Sequence, residues 1–168
     1  MIKQKKISSN RFRVAKKLLE NVIRLRHFRG HGVHSPYVYN IVRKVFMRKT
    51  LIESDNFELF DVLKSKMEVA LATELQNIAT VCGYDKFALN PKGEYEADII
   101  ICTSQYSDDD IDSLLQKSVK NGTTIAILRS ALSNTIERQL SEHRSTIITR
   151  RKYVLIFNNH LPKQRFFL

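Results

Sequence analysis

Three stretches decide the fold class: Ala97-Asp98-Ile99-Ile100-Ile101-Cys102, then Ser107-Asp108-Asp109-Asp110, then Thr123-Thr124-Ile125-Ala126-Ile127-Leu128. The first and third are short unbroken apolar runs bounded by polar residues, the pattern of strands buried on both faces. The second opens a helix that reaches Lys120, and Asn121-Gly122 turns the chain into the next strand. Strand, helix and strand at this spacing predict a parallel crossover, because two parallel neighbours cannot be joined by a tight turn.

Outward from this unit the texture continues. Lys86 to Leu89 reads as an earlier strand, and a helix is predicted from about Ser133 to Glu142. Ser145 to Thr149 and Tyr153 to Phe157 flank the tight Arg150-Arg151-Lys152 link and predict an antiparallel hairpin. The last residues, Lys163 to Leu168, read as extended. No internal repeat or low-complexity tract interrupts the chain.

Upstream, the pattern is helical. Between Ser9 and Phe28, Val14, Leu18, Val22 and Leu25 form a stripe with Ala15, Leu19 and Ile23 beside it, and basic residues surround it. Such a helix needs a surface to cover its stripe. The run Arg29-Gly30-His31-Gly32-Val33-His34 breaks it, and Ser35-Pro36 predicts an N-cap with proline at the first helical position. Val38, Ile41, Val42, Val45 and Phe46 give this second helix one apolar face, and the polar stretch from Arg48 to Asn56 ends it. A third helix is predicted from about Phe57 to Thr80, with Phe60, Leu63, Met67, Ala70, Leu71, Leu75 and Ile78 inward and Gly83 as its stop.

With 168 residues, 43% of them hydrophobic, the chain suffices for one domain with an appendage. No stretch approaches the roughly 18 apolar residues of a membrane span, and Met1 to Lys6 is not followed by a signal-peptide core, so the expected location is the cytosol. Cys82 and Cys102 lack metal-ligand spacing and read as buried, reduced core thiols. The charge is uneven. Residues 1–50 hold 14 Lys or Arg against Glu20 alone, giving +13, whereas residues 51–168 hold 14 against 16, giving −2. A near-neutral body behind a basic front suggests a polyanionic partner, such as RNA, DNA, an acidic protein or a lipid surface; a solvated, solubilising helix is the alternative.

Two segments carry a family resemblance. Arg29-Gly30-His31-Gly32-Val33-His34-Ser35-Pro36-Tyr37-Val38-Tyr39 resembles the "HG(V/I)HSPF" segment that precedes the catalytic domain in a group of methyltransferase-like proteins from Bacteroidota. Tyr153-Val154-Leu155-Ile156-Phe157 with Leu161-Pro162-Lys163-Gln164-Arg165-Phe166 is similar to that group's last strand and "KQHF" tail. With the strands after Ala97, the likeness covers residues 27–47 and 97–168. It implies an α/β fold: a reduced Rossmann-like form of the class I S-adenosylmethionine-dependent methyltransferase, its partly parallel sheet ending in an antiparallel hairpin and preceded by N-terminal helices. Residues 1–50 would be a basic helical arm, and residues 51–168 a truncated methyltransferase-like domain.

The resemblance also implies S-adenosylmethionine as cofactor, but the residues to hold it are missing. That cofactor needs a Gly-rich turn after the first strand and an acid after the second, much as dinucleotides do. Of five glycines, Gly30 and Gly32 precede the fold, Gly122 is a late turn, and Gly83 and Gly93 stand alone. A strand-helix-strand crossover takes roughly 30 residues, so the 50 residues from Met47 to Glu96, mostly helical, lack room for about two strand-helix units. After Ile101, where the family implies an acidic "D-G-x-H" turn, stand Cys102-Thr103-Ser104-Gln105. After the next strand, where paired aspartates are implied, stand Arg129-Ser130, and a metal would meet a cation.

Other residues invite chemistry. Asp108, Asp109, Asp110 and Asp112 resemble a cation site, but Ser107 can cap the helix and acids in its first turn complement the positive helix end. His27, His31 and His34 lie close together without a cysteine or carboxylate to complete a metal site, and are expected to bond loop backbone and hold the N-terminal helix on the body. An anion could sit where Ser35, Pro36 and Tyr37 begin a helix whose free N–H groups point outward, beside Arg29 and His34. For a nucleic-acid backbone the candidates are Arg11, Arg13, Lys16, Lys17, Arg24, Arg26, Arg29, Arg43, Lys44, Arg48 and Lys49, with Phe12, Phe28 and Tyr39 as stacking groups. Three functions follow: a non-catalytic methyltransferase-like protein acting through binding, a basic-arm RNA or DNA binder, and a methyltransferase whose cofactor site is completed by a second chain.

Overall fold

The computed structural model describes residues 35–168 apart from Glu94, Ser130, Ala131, Arg144 and residues 159–161, together with Leu18, Leu19 and Val22 and without the side chains of residues 119–121. Those three N-terminal residues are helical, as the stripe predicts, and exposed. Helix α1, Pro36–Ile41, starts at the expected N-cap, where the Ser35 hydroxyl accepts from the Val38 N–H, and continues into a π-helical turn, Val42–Phe46. Val38, Ile41, Val42 and Val45 are buried in the main core, so charge assigns residues 38–45 to the arm while packing makes them part of the body.

The predicted third helix is two helices, α2 (Glu58–Lys64) and α3 (Val69–Cys82). The cause is phase. At 100° per residue, the face carrying Leu59 and Leu63 points roughly 150° away from the one carrying Ala72, Leu75, Ile78 and Ala79. A straight helix would bury one and expose the other. The turn at residues 65–68 re-aims the chain so that both reach the core, and it leaves Ala70, expected inward, exposed. Gly83 does end α3: its φ of 67° lets the Tyr84 N–H return to the Ala79 carbonyl at 2.9 Å.

Strands β1 (Phe87–Leu89), β2 (Ile99–Cys102), β3 (Thr124–Ile127), β4 (Thr146–Thr149), β5 (Val154–Phe157) and β6 (Gln164–Phe167) form one sheet in the order β1-β2-β3-β5-β4-β6. Helix α4 (Asp108–Asn121) links β2 to β3, and these strands pair in parallel as the spacing predicts. Helix α5 (Asn134–Glu142) links β3 to β4, and the predicted hairpin of β4 and β5 is present, closed by the Arg150 N–H on the Tyr153 carbonyl at 2.8 Å. Strand β5 inserts between β3 and β4 and runs against both, while the other five strands share one direction.

Two features go beyond the sequence reading. The extended C-terminal segment is a sheet strand, β6, parallel to β4. Strands β1 and β2 are parallel although only residues 90–98 join them, without a helix and in fewer than the dozen or more residues such links usually need. As an edge strand, β1 is half-buried rather than covered on both faces.

Side-chain alternation divides the core into two layers. Ile99, Ile101, Ala126, Ile148 and Leu155 face α1, α2 and α3, whereas Ile100, Cys102, Ile125, Ile127, Ile147 and Ile156 face α4 and α5. This is a mixed α/β sandwich with a mostly parallel sheet.

Candidate functional site

In a parallel α/β sheet, ligands bind in the crevice outside the carboxyl ends of the strands. Here the chain's own side chains tie those ends together. At the end of β1, Asn90 takes a left-handed φ of 47°, tolerable for asparagine because its short amide can bond locally. Its N–H donates to the Ile101 carbonyl at 3.0 Å, and its amide both donates to the Thr103 hydroxyl and accepts from the Thr103 N–H, each at 2.8 Å. The Tyr106 hydroxyl then donates to the Pro91 carbonyl at 2.6 Å.

On the other side of β2, Arg129 leaves the end of β3 and donates to the Asp108 carboxylate and the Tyr106 carbonyl; its side chain is only 18% exposed. The Ser133 hydroxyl and the Arg129 guanidinium hold the Asp108 carboxyl below its usual range. Asp108 therefore joins the N-termini of α4 and α5 to the end of β3. The acidic run has the structural role weighed for it: Ser107 caps α4 by accepting from the Asp110 N–H at 3.1 Å, and Asp112 accepts from Gln139. Among the described residues no group of three or more His, Cys, Asp or Glu is placed to hold a metal.

A cavity of about 110 Å³ lies at the opposite, amino end of β1 and β2, among Asn56, Gln76, Gly83, Tyr84, Lys86 and Ile99. Small-molecule sites usually span about 300–1,000 Å³, so this hollow is too small for a nucleoside cofactor. Its polar walls are bonded to one another. Gln76 donates to the Asn56 carbonyl at 3.0 Å and accepts from the Phe60 N–H at 2.9 Å.

Burial pushes Cys102 up to about 12 and raises Cys82 as well. Cys82, expected to be buried, is half-buried and lies 3.1 Å from the Tyr37 hydroxyl, tying α1 to α3. The neighbouring Tyr84 hydroxyl bonds Thr124 at 2.6 Å and ties the end of α3 to β3.

Of the sequence-chosen anion and nucleic-acid residues, Arg11, Arg13, Lys16, Lys17, Arg24, Arg26, Arg29, His31 and His34 lie outside the described residues, as do His27, Phe12 and Phe28. Ser35 is buried at the N-cap of α1. Arg43, Lys44, Arg48, Lys49 and Tyr39 are all exposed. They lie on the outward side of α1 and the π-helical turn and just beyond it, opposite Val38, Ile41, Val42 and Val45. Arg150 stacks over the Phe46 ring at 4.4 Å and bonds Glu74 at 2.9 Å, which brings the hairpin tip, with exposed Arg151 and Lys152, to the same end of this helix. The Asn90 and Arg129 ties and this hairpin contact were not foreseen. Asn90-Pro91 is a legible turn signal, but nothing local names Thr103 as the partner.

Compared with known proteins, the chain matches no protein-family model, no curated protein and no solved structure.

Proposed function

We propose that the protein is a non-catalytic relative of the class I methyltransferases that acts through binding, with its basic front meeting a polyanion. The observation that carries this reading is the bonded state of the strand ends. Where a cofactor-binding sheet would turn on glycines after β1, this chain turns on Asn90 and uses that side chain to clasp Thr103. Where the family implies aspartates after the next strand, Arg129 reaches back to Asp108 and the Tyr106 carbonyl. Admitting an adenosyl group would break both ties and cost their part-buried polar groups these bonds. The parallel crossover followed by an antiparallel hairpin supports the family likeness, and the short link of residues 90–98 fits the loss of intervening strand-helix units.

Calorimetric titration of S-adenosylmethionine into the full chain should give no saturable heat up to millimolar ligand, and the unfolding temperature should not move with ligand. Saturable binding would overturn the proposal, and a native mass of two chains under the same conditions would then favour an enzyme completed by pairing.

A further inference from the structure

Among the described residues the large exposed apolar side chains are Leu18, Leu19, Val22, Tyr39, Met47 and Val69. Apolar residues scattered singly over a surface need no explanation. These are not scattered: five of the six fall within residues 1–50, the stretch that carries +13 while the rest of the chain carries −2. Leu18, Leu19 and Val22 are 61%, 62% and 62% exposed, and their helical spacing puts Leu18 and Val22 on one side.

The same mixture recurs on the outward side of α1 and its π-helical continuation. Tyr39, Arg43 and Met47 follow at four-residue intervals, Lys44 and Arg48 flank them, and no acid occurs between Ser35 and Thr50.

We propose that the outward side of α1, together with the exposed Leu18, Leu19 and Val22, docks on an anionic lipid surface, with the Lys and Arg side chains at the phosphate level and the apolar side chains inserted at the acyl boundary. The proposal rests on the reading that the chain acts through binding, and it names the partner. Cations interleaved with exposed apolar side chains, with Glu20 the one acid in residues 1–50, are what an anionic bilayer surface recognises. A nucleic-acid backbone would use the cations, but of the six apolar groups only Tyr39 offers a ring on which a base could stack. A second copy of the chain would bring +13 against +13 and be repelled.

The test is co-sedimentation of the full chain with phosphatidylcholine vesicles and with vesicles that also contain phosphatidylserine, beside titration of a generic RNA duplex. The protein should partition onto the anionic vesicles and not the neutral ones, and added salt should weaken the partition. Arg43→Gln and Lys44→Gln should each weaken it about fivefold. The pair Leu19→Ser and Met47→Ser should weaken vesicle binding about tenfold or more while leaving any binding to the duplex unchanged. All four positions are exposed, so an unchanged unfolding temperature should accompany each variant. No preference for anionic over neutral vesicles, or vesicle binding indifferent to Leu19→Ser with Met47→Ser, would overturn the proposal, as would binding to the duplex alone. Titration of S-adenosylmethionine into the same sample separates the two readings: silence there with no vesicle binding sinks only the lipid proposal, and saturation there with vesicle binding sinks only the non-catalytic one.

Discussion

Asn90 combines a backbone conformation that most L-residues avoid with a side chain that makes two of the bonds tying β1 to β2. These contributions can be separated. Asn90→Ala keeps the unfavourable φ and loses both side-chain bonds, so it should destabilise the protein by about 2 kcal/mol. Asn90→Gly loses the same bonds but relieves the backbone, and should cost about 1 kcal/mol. Urea unfolding midpoints of the two variants check the order; equal losses would mean that the φ is not strained. This site marks the limit of what was legible at the scale of single residues. Caps and stops were readable because their chemistry is local: Ser35, Ser107 and Ser133 each cap a helix, and Gly83 ends one. The partners of Asn90, Arg129 and Arg150 were not, since each lies 13 or more residues away and depends on which strand ends the sheet brings together.

Elements follow the same division between local pattern and distant pairing. Strands β2, β3 and β5 were legible because an unbroken apolar run of four or five residues between polar flanks fits little else. The division of residues 57–80 into α2 and α3 was present in the apolar phase but hidden by a window that joined the two stripes. The sequence Gln164-Arg165-Phe166-Phe167 signals extension, but a parallel partner leaves no turn to announce it. Strand β6 nevertheless matters to the core. Phe166 is buried among the residues that face α1, α2 and α3, and among the described strands β6 pairs with β4. Phe166→Ala should therefore cost about 3–5 kcal/mol. Thermal unfolding with circular dichroism is the measurement, and a loss under about 1 kcal/mol would show that β6 adds little to the sheet.

At the scale of the molecule, the strand and helix patterns predicted an α/β fold, which the six-stranded sheet with helices on both faces bears out, and the main core includes Val38, Ile41, Val42 and Val45. No helix among the described residues is long and apolar enough to cross a membrane. How β1 joins β2 in parallel was not legible, because it depends on a nine-residue link and on polar ties between strand ends.

The position of β5 carries a consequence for how the chain is made. Residues 154–157 emerge from the ribosome after both strands they lie between, and they fill the slot between β3 and β4 in the middle of the sheet. Until they appear, two rows of unsatisfied backbone amides and carbonyls face each other across an empty lane, the kind of edge that invites aggregation. Nascent chains stalled before Val154 should remain protease-sensitive, and those stalled with Phe157 well clear of the exit tunnel should become resistant in one step. A gradual gain of resistance from Cys102 onward would show instead that the parallel half stands without β5.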